Sequence, residues 1–182
     1  MIETLQKEIP AERLRGFIDA PRIDGYCQKC GNYGKIWACP PYEFDRMSVW
    51  ERYSSLLLYA KRITLSEEET SREYSDEELE RAYKAILDPV KRDMISELFA
   101  LERENPGSLA LFPGCCEECA ECARVRNEPC VKPERMRFSV ESLGGDVLKI
   151  LRKVFSEETE WAEKGRLPGK FILLGGVLLA DN

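Results

Sequence analysis

Five of the eight cysteines in this 182-residue chain fall in residues 114–133, GCCEECAECARVRNEPCVKP: Cys115, Cys116, Cys119, Cys122 and Cys130. From Cys116 onward the spacing is C-x2-C-x2-C-x7-C. Steps of two intervening residues set three thiolates on one tight loop, around one face of a compact cluster, and the fourth arrives from the returning chain. That is the ligand economy of an iron–sulfur cube. The other three cysteines, Cys27, Cys30 and Cys39, are spaced C-x2-C-x8-C within YCQKCGNYGKIWACPPY at residues 26–42. Pro40 and Pro41 follow Cys39 directly and stop any helix or central strand there. Three thiolates leave a four-coordinate shell one donor short. The missing ligand is Cys115, which the downstream run does not need, or a carboxylate, a water or a substrate.

The downstream run resembles the C-x2-C-x2-C plus distant Cys-Pro run of bacterial ferredoxins, in which the third spacing is shorter and the last Cys serves the other cluster. Here the proline stands three residues after Cys130, at Pro133. Histidine is absent from the chain. This removes mixed cysteine/histidine zinc sites, Rieske-type ligation and every Ser-His or Cys-His nucleophile. Any metal must be held by sulfur, with carboxylate oxygen the other side-chain donor.

One third of the residues are charged and the net charge is −6, so neither nucleic acid nor a membrane is an expected partner. The first residues show no signal peptide, and the longest apolar run, FILLGGVLLA at 171–180, is far short of the ~20 residues of a membrane helix. A cytoplasmic location is expected. In a reducing compartment two tight cysteine clusters read as metal ligands before disulfides.

The elements that must position these loops follow from pattern. Residues 1–26 read as an irregular lead-in with a short helix at 11–17 after Pro10. Gly25, Gly31 and Gly34 allow tight turns that point N–H groups at sulfur, and Tyr33 and Trp37 can shield the site or simply fill the core. Residues 48–53 suggest a short helix and 54–65 a strand. The acidic run 66–80 reads as a solvated loop. Ser75 with Glu78 forms a capping-box signal for a helix that carries Leu79, Tyr83, Ile86 and Leu87, then Val90, Ile95, Leu98 and Phe99, to about Glu104. Pro89 is expected to kink or split it. A short strand at 108–112 leads into the downstream loop. Ser139 with Glu141 suggests a helix that Gly144 and Gly145 break, and Asp146 caps a second one ending near Phe155. The stretch 156–166 reads as polar helix or loop, and 170–180 as a strand or hairpin interrupted by Gly175 and Gly176. The sum is α+β: a small mixed sheet of three or four strands, one long kinked helix and two cysteine-rich metal loops at one end, in a single domain over 1–182.

The motifs at 26–42 and at 116–147, CEECAECARVRNEPCVKPERMRFSVESLGGDV, resemble an uncharacterised bacterial and archaeal family labelled predicted metal-binding protein, a domain of unknown function. The resemblance covers nearly the whole chain. It implies that Cys27, Cys30, Cys39, Cys116, Cys119, Cys122 and Cys130 are metal ligands, and it names no reaction.

The leading functional expectation is an iron–sulfur protein, with one 4Fe-4S cluster on Cys116, Cys119, Cys122 and Cys130 and a second on Cys27, Cys30, Cys39 and Cys115. Electron transfer to a redox partner protein is its default activity. Were Cys115 not a ligand, the upstream cluster would keep an open iron for a substrate or a partner's ligand, and the carrier would become an enzyme. The alternative is a zinc-stapled interaction module, with Cys27/Cys30 and Cys119/Cys122 around one ion. A third cysteine in each cluster is surplus under zinc and needed under iron–sulfur. Thiol–disulfide exchange at Cys27/Cys30 fits poorly, because GNYGKIW after it is no helix. GRLPGKF at 165–171 lacks the spacing and the Ser/Thr of a phosphate loop. Arg135, Arg137, Glu141 and Asp146 can line a pocket or dock a redox partner, or serve as caps and surface ion pairs.

Overall fold

The computed structural model describes residues 1–163 and 165–181. Strand β1 (Ile2–Pro10) leads into helix α1 (Ala11–Leu14) and a 3-10 turn at Arg15–Phe17, and α2 (Ala20–Cys27) follows. A short α3 (Met47–Trp50) precedes β2 (Ser55–Thr64), then come α4 (Glu67–Ser71), the long α5 (Asp76–Glu104) and β3 (Leu109–Leu111). Beyond the second cysteine loop, α6 (Val147–Ile150) runs on into a π-helical turn, Leu151–Phe155, and β4 (Lys170–Leu179) completes the sheet. The strand order is β1-β2-β4-β3, with antiparallel neighbours. One parallel bridge, Phe112 to Ser139, continues the line of β3 by a residue.

Successive side chains of a strand point to opposite faces. Leu56, Leu58 and Ala60 of β2 and Leu174 and Leu178 of β4 therefore enter one core, which also takes Trp50, Leu143 and Ile150. Tyr59 and Val177 enter the other, beneath Met94 and Leu98 of α5. Covered on both faces, β2 reads as an apolar run. Helix α5 starts at the expected capping box: Glu78 N–H donates to Ser75 Oγ (3.3 Å) and Ser75 N–H to Glu78 Oε2 (2.9 Å). It is not split at Pro89.

Three expectations need correction. Residues 2–10 form an edge strand, paired from Ile2–Ile63 to Pro10–Ser55; only Ile9 of it is buried, so its pattern carried little apolar signal. Part of the acidic run folds as α4, capped by Ser66 and Glu69. Strand β4 passes through Gly175 and Gly176 unbroken. These glycines serve close approach: a Cβ on Gly175 would lie 2.5 Å from the Leu111 carbonyl oxygen and 3.0 Å from Leu98 Cδ1, and one on Gly176 would lie 2.6 Å from the Leu57 carbonyl oxygen. Of the stretch 156–166, the described part is loop, neither helix nor strand, with a bridge between Glu163 and Arg166, and Lys164 lies outside the described residues. Among the described residues no helix is long and apolar enough to cross a membrane.

Backbone cannot yield as a flexible side chain can. Gly175→Ala is therefore expected to cost about 1–3 kcal/mol, read as a lower thermal midpoint. Gly16→Ala, where nothing lies within 4 Å of the new methyl, is the neutral control; equal midpoints for the two variants would refute the close-approach account.

Candidate metal centres

Helix α2 delivers Cys27 at its last residue. Asp19 caps its start, accepting from Arg22 N–H (3.3 Å), and Arg46 binds both oxygens of Asp24 (2.7 Å each), tying the helix to the chain beyond Cys39. Turns follow: Cys30 N–H donates to the Cys27 carbonyl (3.0 Å), Tyr33 N–H to Cys30 (3.1 Å) and Cys39 N–H to Ile36 (3.0 Å). Gly34 takes a left-handed φ of 70°, and its N–H donates to the Pro40 carbonyl (2.9 Å), closing the loop on itself instead of facing sulfur. Gly25 lies inside α2.

The downstream loop is a closed excursion. Phe112 N–H donates to the Phe138 carbonyl (2.8 Å) where the chain leaves and re-enters the sheet edge. Glu102, near the end of α5, accepts the Ala110 N–H (2.5 Å) and both arms of Arg137 (2.8 and 2.5 Å), and Arg135 grips Glu118 within the loop (2.6 and 3.0 Å). Asp146 caps α6 through Lys149 N–H and pairs with Arg22, both at 2.9 Å. Arg135, Arg137 and Asp146 are thus braces. Residues 139–144 form a bonded turn, not a helix: Ser139 N–H donates to Ser142 Oγ (2.9 Å), Ser142 N–H to Ser139 Oγ (3.0 Å) and Ser142 Oγ to the Ser139 carbonyl (3.0 Å). Competition of serine hydroxyls for backbone groups favours turn over helix.

Contacts between the loops bring the thiols together. Arg124, in the 3-10 turn Ala123–Arg126, donates to the carbonyls of Ile36 (2.9 Å), Cys39 (2.6 Å) and Pro41 (2.5 Å), and its guanidinium carbon lies 5.0 Å from the centre of the Trp37 ring. Trp37 Nε1–H donates to the Glu128 carbonyl (2.9 Å), and Asn32 Nδ2–H to Cys115 Sγ (3.3 Å). Two cavities result. One, of about 360 Å³, is lined by Cys27, Cys30, Cys39 and Cys115. The other, of about 250 Å³, is lined by Cys116, Cys119, Cys122 and Cys130, and Cys115 and Asn32 belong to the wall of both. Tyr33 borders the first and Trp37 the second. All eight cysteines are free thiols, Cys30 exposed and the other seven half-buried. Among the described residues no three Cys, Asp or Glu side chains converge on a single point as one ion would need. Cys27/Cys30 and Cys119/Cys122, the pairs a shared zinc ion would join, line different cavities.

Burial raises four of the thiols, Cys27, Cys39, Cys115 and Cys116. It pushes Cys39 up to about 12, with the neighbouring Cys115, Cys30 and Cys27 adding to the shift and Arg124 opposing it. Burial also raises Cys27, helped by Asp24, Cys30 and Glu141, and raises Cys115, where Lys91 opposes it. At Cys116 burial again leads upward, while the backbone N–H groups of Glu118 and Arg137 favour the thiolate.

An antiparallel α+β scaffold thus presents eight free thiols to two adjoining cavities. The chain belongs to the family described as Predicted metal-binding protein (DUF2284), which matches it over residues 14–179. No curated protein and no solved structure matches the chain. Sequence spacing identified the thiols; it had no signal for Asn32 or Arg124, whose partners are a distant sulfur and distant carbonyls.

Two predictions follow from this geometry. Arg124→Ala removes three hydrogen bonds from a charged donor and should cost about 2–4 kcal/mol, lowering the thermal midpoint and the Cd²⁺ bound per chain; Arg126→Ala, which loses only solvent-screened surface pairs with Glu121 and Glu128, should leave both nearly unchanged. Equal effects would refute the clamp. Metal must displace protons from the raised thiols, so Cd²⁺ affinity of the metal-free protein should rise with pH, by about tenfold per pH unit for each proton displaced. Without metal the sign reverses. A folded thiol value raised above the ordinary 9.0 stabilises the fold below that value, and the contribution is lost as pH rises towards about 12. Calorimetry in buffers of different ionisation heat counts the protons; uptake without proton release would contradict neutral thiols.

Proposed function

We propose that this is an iron–sulfur protein with two 4Fe-4S centres, an upstream one on Cys27, Cys30, Cys39 and Cys115 and a downstream one on Cys116, Cys119, Cys122 and Cys130, and that it passes electrons to a redox partner protein. The observation that carries the reading is the distribution of eight thiols around two adjoining cavities, Cys27, Cys30 and Cys39 lining one, Cys116, Cys119, Cys122 and Cys130 the other, and Cys115 both. Four thiolates per site is the ligand count of a cube. A tetrahedral zinc ion draws its sulfurs to about 2.3 Å, whereas these thiols stand around cavities of about 250 and 360 Å³.

When bound, such clusters supply one-electron couples whose potentials depend on burial, charge and hydrogen bonds to sulfur. The chain supplies those influences. Trp37 and Tyr33 border the cavities and exclude water from one side of each. Tyr42, Phe44 and Phe138 form an aromatic group with centroids 4.7–5.7 Å apart, and the Tyr42 hydroxyl donates to the Ala38 carbonyl (2.7 Å) in the upstream loop. Consecutive ligands Cys115 and Cys116 keep the two centres close enough for electrons to pass between them.

Protein purified without oxygen should contain about eight iron and eight acid-labile sulfide per chain, with a visible charge-transfer spectrum. Cys39→Ser and Cys119→Ser should each halve both contents, and the double variant should abolish them. Zinc without sulfide in that anaerobic sample would overturn the proposal.

A further inference from the structure

The upstream cavity contains a donor that the eight-thiol assignment leaves unused. Glu141 lies in its wall with Cys27, Cys30, Cys39 and Cys115, held in the middle of the Ser139/Ser142 turn between the fully buried Val140 and Leu143. The residue is half-buried, but its Oε2 is buried and has no hydrogen-bond partner. Leaving such an oxygen unpaired is costly and calls for a partner that binds there. Lys91, which also lines the cavity, is ion-paired with Glu117.

Glu141 and Cys115 line this cavity together with Cys27, Cys30 and Cys39. The upstream cavity is also the larger of the two.

On the two-centre reading above, we propose that Glu141 is an oxygen ligand of the upstream centre, the alternative to Cys115 at the one coordination position that Cys27, Cys30 and Cys39 leave open. Carboxylate is a harder and more readily exchanged donor than thiolate. Exchange between the two makes the upstream centre the one of the pair whose coordination can change, and a small oxygen- or nitrogen-donor ligand could displace the carboxylate there.

The test is the lability of that iron in anaerobically purified full-length protein. Limited ferricyanide takes one electron from an exposed 4Fe-4S centre, one ferrous ion leaves, and a three-iron form appears by electron paramagnetic resonance. Cys115→Ala should keep the upstream centre with four irons, and its Mössbauer spectrum should show one iron shifted towards oxygen ligation. Cys115→Ala with Glu141→Gln should form the three-iron species about tenfold faster and fall from about eight to about seven irons per chain. Glutamine preserves the volume of the side chain, and the unchanged downstream spectrum reports that the fold is intact. If Cys115→Ala alone loses its iron as fast as the double variant, or the double variant keeps it as well as Cys115→Ala, the Glu141 ligand is refuted. Wild-type protein with only one centre would instead sink the two-centre reading on which it rests.

Discussion

The guanidinium of Arg124 reaches out of the downstream cysteine loop to three carbonyls of the upstream one, those of Ile36, Cys39 and Pro41, while lying over the Trp37 ring. Neither loop has a sheet or long helix to satisfy its backbone, and buried carbonyls must find donors. A planar guanidinium suits the task, because it carries several donors in one rigid fork and keeps its charge at any pH the fold survives. Lysine could not reproduce this: a single ammonium group has neither the span nor the flat face for Trp37. The mutual position of the two sets of thiols follows from this contact, reinforced by Trp37 on the Glu128 carbonyl and Asn32 on Cys115.

The sheet and its two cores do not touch this chemistry directly; they provide fixed points. Strand β3 and the bridge from Phe112 to Ser139 hold both ends of the downstream loop at one place on the sheet edge, so the long excursion between them is closed at its base. Helix α5 reaches the same region twice, through Glu102 at its C-terminal end and Lys91 about three turns earlier. The turn at 139–146 is the other anchor. It receives the Trp50 indole on the Leu143 carbonyl (3.0 Å) and the Asp19 N–H on the Gly144 carbonyl (2.9 Å), so the start of α2 and the base of the upstream loop share a support. Apolar burial thus stabilises the frame, and polar contacts hang the loops on it.

What could be read from the sequence divides along this same line. Cysteine spacing is local, so the two clusters and the surplus of Cys115 were legible, as were β2, β3 and the capped start of α5. Strand β1 was not, because an edge strand with one buried side chain shows its identity mainly in pairing with β2. The glycine pair in β4 looked like an interruption, since the carbonyls of Leu111 and Leu57 that require it lie on other strands. Glu141 stood in the sequence beside Arg135, Arg137 and Asp146 as one polar group; only the fold separates the three braces from the carboxylate that faces the cavity. Arg124 had no signature, because its partners are main-chain atoms, which any sequence at 36–41 would supply.

The consecutive pair Cys115–Cys116 prevents the two cavities from behaving as separate sites. Adjacent Cα atoms are fixed about 3.8 Å apart, and Gly114, with φ of 79°, turns the chain just before them. Cys115 and Cys116 are therefore tied through a single peptide plane, and the Asn32 hydrogen bond on Cys115 joins the pair to the upstream loop. Burial opposes thiolate formation at both residues, so neither cavity can bind its full set of donors without altering the charge beside the other.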